Sequence, residues 1–126
     1  ALTDVTGFGL AGHLLEICRA SGAGARIDWP AVPLHPGVLE LARDGLVTGA
    51  SGRNWAGYGA SVDLPTGFGD AERALLADPQ TSGGLLVACA PDAVDAVLAI
   101  FRDDGFERAA VIGEVVAGAP RVAIAT

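Results

Sequence analysis

Leu10, Leu14 and Ile17, joined by Ala11, Leu15 and Cys18, recur at helical spacing, while His13, Glu16 and Arg19 fall on the opposite side. That stripe predicts an amphipathic helix over about residues 8–20, stopped by Gly22 and Gly24. Residues 25–29 alternate and contain β-formers, which predicts a short strand ended by Pro30. Residues 30–37 form a proline-rich loop and 38–43 a brief helix, whereas 45–59 is too rich in Gly, Ser and Asn for regular structure. A further helix opens at Asp70, runs through Leu76 and stops at Asp78-Pro79. Gly84 to Ala90 then predicts a buried strand, and Pro91 starts a helix through Phe101. The tail, 109–116 and 121–124 around Gly118-Ala119-Pro120, reads as a β-hairpin. This order predicts an α+β or α/β fold with one sheet, and the lack of repeats or linkers predicts a single domain over 1–126.

Composition narrows the function classes. The chain has 126 residues, 51% of them hydrophobic, enough for a packed core. It has no apolar run near the roughly 18 residues that span a bilayer, and ALTDVT is not a signal-peptide start, so a cytoplasmic protein is expected. The chain lacks Met and carries a functional-looking motif by residue 4, which predicts a piece of a longer protein. All 8 basic residues are Arg, so no lysine chemistry resides here. A net charge of -7, with the arginines scattered, argues against a nucleic-acid surface but not against one small anionic ligand. Cys18 and Cys89 are too few for a disulfide framework or a zinc site, and both are expected to be small core residues.

Three stretches carry candidate chemistry. In Asp4-Val5-Thr6-Gly7-Phe8-Gly9-Leu10-Ala11-Gly12-His13, a carboxylate and three glycines stand directly before a helix. Glycines let backbone N–H groups approach an anion, the helix N-terminus adds partial positive charge, and a carboxylate can hold the Mg²⁺ that accompanies a nucleotide phosphate. The plainer reading makes Asp4 or Thr6 an ordinary helix cap. Gly7, Gly9 and Gly12, with Asp28 further on, also satisfy a dinucleotide-binding fingerprint, yet the residues feeding the glycines are too polar for a buried parallel strand. The second stretch, Asp78-Pro79-Gln80-Thr81-Ser82-Gly83-Gly84-Leu85-Leu86-Val87, is a turn in which Thr81 and Ser82 donate either to a phosphate or to the local backbone. The third, Gly49 to Gly59, embeds Arg53 and Asn54 among glycines, and the Arg53 fork suits phosphate.

Taken in order and spacing, DVTGFGLAGHLLE, SGRNWAGYG, DPQTSGGLLV and Val111-Ile112-Gly113-Glu114-Val115 resemble the C-terminal domain of the selenophosphate synthetases (selenide, water dikinases). These belong to the aminoimidazole ribonucleotide synthetase superfamily, and the resemblance covers nearly the whole chain. It implies a three-layer α/β/α domain with one mixed sheet. It also implies a reaction in which ATP, selenide and water give selenophosphate, AMP and phosphate, with Mg²⁺ bridging the phosphates. The family's reactive Cys or selenocysteine, its catalytic Lys and most metal-binding aspartates lie in an N-terminal domain that also forms much of a homodimer interface. The chain is therefore expected to be the C-terminal half of a two-domain enzyme, inactive alone and without catalytic residues of its own. Asp4 matches a metal-binding aspartate, and Thr6, Gly7, Gly9, His13, Arg53, Asn54, Thr81 and Ser82 are the expected ligand-binding residues. His13 and Glu16 match the family pattern, His13 as a hydrogen-bonded interface residue. The competing expectation is a non-catalytic ligand-binding or regulatory module, or another ATP-dependent synthetase of the superfamily. Asp4 discriminates, because a module without metal chemistry has no need of that carboxylate.

Overall fold

A computed structural model describes residues 1–126. Its elements are β1 (Leu2–Asp4), α1 (Gly9–Ser21), β2 (Gly24–Asp28), α2 (Val38–Arg43), α3 (Gly49–Tyr58), β3 (Val62–Asp63), α4 (Asp70–Leu76), β4 (Leu85–Val87), α5 (Val94–Asp103), β5 (Gly113–Val116) and β6 (Val122–Ala125). The four-stranded sheet has the order β3-β6-β2-β5 and is mixed: β2 runs antiparallel to β5 and parallel to β6, and β3 runs parallel to β6. Ala25 and Ile27 of β2 and Val122 and Ile124 of β6 are buried together with Leu14, Leu15 and Cys18 of α1, whereas Arg26 and Asp28 point to solvent. Strand alternation thus selects the face that α1 covers. Leu76 at the end of α4 and Val62 of β3 complete this core.

The mixed sheet with helices agrees with the expected α+β architecture, and four local expectations are corrected. Beside the mixed sheet stands a separate antiparallel ribbon of β1 and β4, so the strands do not form one sheet. The tail is no hairpin, because β2 inserts between β5 and β6. The connection instead passes close to the start of β2, where a side chain on Gly24 would lie 3.0 Å from the Ala119 carbonyl oxygen. Residues 49–58, expected to be irregular, form α3. Thr48 caps it by accepting from the Ser51 N–H at 3.2 Å, and the packing of its aromatics outweighs the helix cost of its glycines, about 1 kcal/mol each. Cys18 is buried, and burial pushes its thiol up; Cys89 is exposed, just past the end of β4.

Arg121 ties the short strand β3 to β6. It donates through Nε to Asp63 at 2.9 Å, a second time through Nη2, and through Nη1 to the Ala60 carbonyl at 3.0 Å. The guanidinium holds the Asp63 carboxyl below its ordinary value of 3.8. A depressed folded-state value adds stability above the unfolded value, and this is lost as pH falls through the folded one. Both side chains are largely exposed, so the gain is small. Asp63→Asn is expected to lower the urea midpoint slightly at pH 7 and to match the unsubstituted chain near about pH 2. A gap that persists in acid would remove the ion pair as its cause.

Candidate functional site

Pairing of β1 with β4 sets Asp4 opposite Leu85 and so brings the two sequence motifs DVTGFG and DPQTSGG side by side. The Val5 N–H donates to the Gly84 carbonyl at 2.8 Å, and the Gln80 N–H to the Thr6 carbonyl at 3.1 Å. Gly83 must be glycine for this approach, since a side chain there would meet the Val5 carbonyl oxygen at 1.7 Å. Gly9 opens α1 with φ +71°, and a side chain on it would strike the Ala77 backbone at 2.6 Å. The glycines at these two positions serve backbone packing.

The third motif closes the cluster. Asn54 and Tyr58 lie one turn apart on the same face of α3. Asn54 donates from Nδ2 to the Gly7 carbonyl at 2.8 Å and to the Ala77 carbonyl at 3.0 Å, and Tyr58 donates its phenolic O–H to the Phe8 carbonyl. The Tyr58 ring occupies the space left by the missing side chain of Gly12. Burial pushes the Tyr58 phenol up to about 12, opposed by the Gly12 N–H that faces its oxygen. Buried Ser51 donates to Asp78 Oδ1 at 3.3 Å, joining the start of α3 to the end of α4. Nothing local in the sequence marks Tyr58; the single hint is its spacing of four residues from Asn54.

With its carbonyl held by Asn54, the peptide after Gly7 turns its Phe8 N–H edge the other way, because the peptide is planar and trans, whereas the Gly9 N–H donates to the Thr6 carbonyl at 3.0 Å. The N–H groups of Thr6, Gly7 and Phe8 donate to nothing in the chain. The N-cap of α1 is Phe8, with no side-chain cap and no acidic residue in the first turn. The reading of Asp4 or Thr6 as a helix cap is thereby overturned. Asp4 sits exposed at the end of β1, and its carboxylate makes no hydrogen bond or ion pair. The dinucleotide fingerprint fails as well, because β1 and β2 lie in different sheets and form no parallel βαβ unit.

His13 departs from its expected place on the polar side of α1. It is only 8% exposed, because α1 is covered by the sheet on one side and by α3 and α4 on the other. Its Nε2 lies 3.1 Å from Thr6 Oγ1 and its Nδ1 3.0 Å from Glu16 Oε2, with the Phe8 ring 5.7 Å away. Arg53 is exposed and unpaired, and its guanidinium folds back toward Gly49 at the far end of α3 from Tyr58. Thr81 and Ser82 are exposed on the turn beside the glycine loop and make no hydrogen bond. Thr6, Gly7, Gly9, His13 and Asn54 are thus brought together with Asp4 nearby, Thr81 and Ser82 flank them, and Arg53 stands apart. No group of three or more His, Cys, Asp or Glu side chains could hold a metal ion. Asp4 fits Mg²⁺ as one hard oxygen ligand among the six such a cation requires.

The sequence that folds in this way has matches among known proteins. The chain belongs to the family described as AIR synthase related protein, C-terminal domain, which it matches over residues 1–124. Within that family it is 66% identical over 122 residues to a selenide, water dikinase of Burkholderia pseudomallei, covering 97% of this chain and 34% of that protein. It is 61% identical to the selenide, water dikinase of Burkholderia ambifaria over 99% of this chain and 35% of that protein. The figure is 60% for that of Pseudomonas straminea, over 97% of this chain and 34% of that protein. The chain therefore spans about a third of the length of the curated relatives it matches.

Proposed function

We propose that the chain is the C-terminal domain of a selenide, water dikinase, the enzyme that turns ATP, selenide and water into selenophosphate, AMP and phosphate. The observation that carries this reading is the state of Asp4, an exposed carboxylate with no structural partner beside a loop whose N–H groups are also unpaired. Acceptor and donors stand next to each other without satisfying each other, an arrangement that suits a cation and an anion bound as a pair. In this reading the N–H groups of residues 6–8 and the entrance of α1 receive phosphate oxygens. Asp4 supplies one ligand to Mg²⁺. When bound, that ion neutralises charge developing on the transferred phosphoryl group. Asn54 and Tyr58 hold the loop in place, and Thr81 and Ser82 border it, while Arg53 stands apart.

The remaining ligands, the nucleophile and a catalytic lysine have to come from a preceding domain. Support for such a neighbour is the apolar surface around Asp4, where Leu2 is 64%, Leu85 57% and Phe8 52% exposed. A homodimeric, cytoplasmic enzyme belongs to the same reading. No helix is long and apolar enough to cross a membrane.

The test is Asp4→Asn in the full-length protein. Asparagine keeps the shape and, since Asp4 caps no helix, thermal unfolding is expected to be unchanged. Selenide-dependent ATP consumption is expected to fall about tenfold or more, because a hard cation loses an anionic oxygen. Unchanged activity across a Mg²⁺ titration would sink the assignment.

A further inference from the structure

We propose that His13 and Glu16 are positioning residues that fix the Thr6 hydroxyl as a hydrogen-bond acceptor on the ligand side of the glycine loop. The proposal rests on the reading of that loop as a magnesium–nucleotide site and assigns residues to its cation half. Its starting point is the chain Thr6 Oγ1, His13 Nε2, His13 Nδ1, Glu16 Oε2, with links of 3.1 and 3.0 Å.

The direction of the first link follows from the end of this chain, and that of the second from the form of the ring that the proposal assigns, the Nδ1–H imidazole. The Glu16 carboxylate only accepts, so His13 Nδ1 carries a hydrogen. In the neutral imidazole Nε2 is then a bare lone pair, and Thr6 must donate to it. Thr6 has a single hydroxyl proton and spends it on Nε2. Its oxygen meets a ligand with lone pairs alone. Carboxylates behind metal-binding imidazoles orient them in the same way, here one bond further from the ligand.

The consequence narrows the role read from sequence, in which Thr6 is one of the ligand-binding residues. Asp4 and Thr6 flank buried Val5, Asp4 exposed and Thr6 half-buried with its hydroxyl against His13. These two residues offer acceptors, while the N–H groups of residues 6–8 offer donors. A group that binds at Thr6 has to bring its own proton, as the water shell of a hydrated divalent cation does. Phosphate oxygens, which only accept, are left to the N–H groups. Burial of His13 beneath the Phe8 ring keeps bulk water from competing for Nε2.

Two measurements on the full-length protein test this. In protein labelled with ¹⁵N at histidine, with His13 assigned by the signal lost in His13→Gln, the ring is expected to carry its hydrogen at Nδ1 and to be bare at Nε2. A hydrogen on Nε2, in the other tautomer or in an imidazolium, would overturn the proposal. Second, the Mg²⁺ concentration for half-maximal ATP consumption is expected to rise about tenfold in Thr6→Val and by a similar factor in Glu16→Gln. Thr6→Ser is expected to restore the original requirement, and Glu16→Gln to add nothing in a Thr6→Val background. A Glu16 effect that persists without the Thr6 hydroxyl would show that Glu16 does not act through it and would also overturn the proposal. If the unsubstituted protein consumes no ATP with selenide, the functional reading fails, and the histidine tautomer alone decides the positioning role.

Discussion

Gly9→Ala is expected to destabilise the protein by about 4 kcal/mol, the largest loss from adding one methyl group to the glycine loop. Two costs add at this position. The backbone has φ +71°, where an L side chain costs about 1–2 kcal/mol. The new methyl would also sit 2.6 Å from the Ala77 carbonyl carbon and 2.9 Å from the Asp78 nitrogen. Those atoms are backbone at the end of α4, anchored by Asn54 and Ser51, so no rotamer change relieves the clash, and overpacking of this kind costs about 1–3 kcal/mol. Gly22→Ala separates the two costs, because φ is +63° but nothing lies within 4 Å, and it is expected to lose about 1–2 kcal/mol only. Gly7→Ala is a second control, with open space and no positive φ, and its urea midpoint is expected to stay unchanged. Equal losses for Gly9 and Gly22 would mean that the approach of α1 to α4 is looser than described.

Asn54→Asp is expected to cost about 3 kcal/mol although it changes one atom of the side chain. The amide nitrogen donates to two carbonyls, those of Gly7 and Ala77, and a carboxylate can only accept. Three acceptors would then face one another in a half-buried place, with two carbonyls deprived of their donor. Asn54→Ala removes the donor without adding the repulsion and is expected to cost about half as much. The order Asp worse than Ala is the critical outcome, read from urea unfolding. If Asp proves the milder change, the clamp is not what Asn54 does. Asn54 then returns to the role expected from sequence, a side chain that faces the ligand.

Local periodicity was enough to place α1, α4 and α5, because the residues that set their apolar faces lie three and four apart. Likewise the motifs DVTGFG and DPQTSGG led to the correct family, since a glycine demanded by close backbone approach leaves its mark in a short string. Gly113 is of this kind too, for a side chain there would meet the Arg26 carbonyl oxygen at 2.0 Å. By contrast, α3 was hidden. Its glycines argue against a helix, and what stabilises it are bonds from Asn54 and Tyr58 to residues 47 and 50 positions away.

The strand partners were hidden for the same reason. Both 113–116 and 122–125 look like strands, but only the intrusion of β2 between them decides that they do not pair. His13 reads as polar surface on one helix, and burial by the sheet, α3 and α4 turns it into the middle of a hydrogen-bonded chain. What the sequence determined alone was therefore the set of elements with regular apolar spacing, the family, and the carboxylate and glycines at the entrance of α1. Tertiary structure decided which carbonyls of that entrance are held, which N–H groups stay free and which side chains join into the chain from Thr6 through His13 to Glu16, because each depends on how the elements pack.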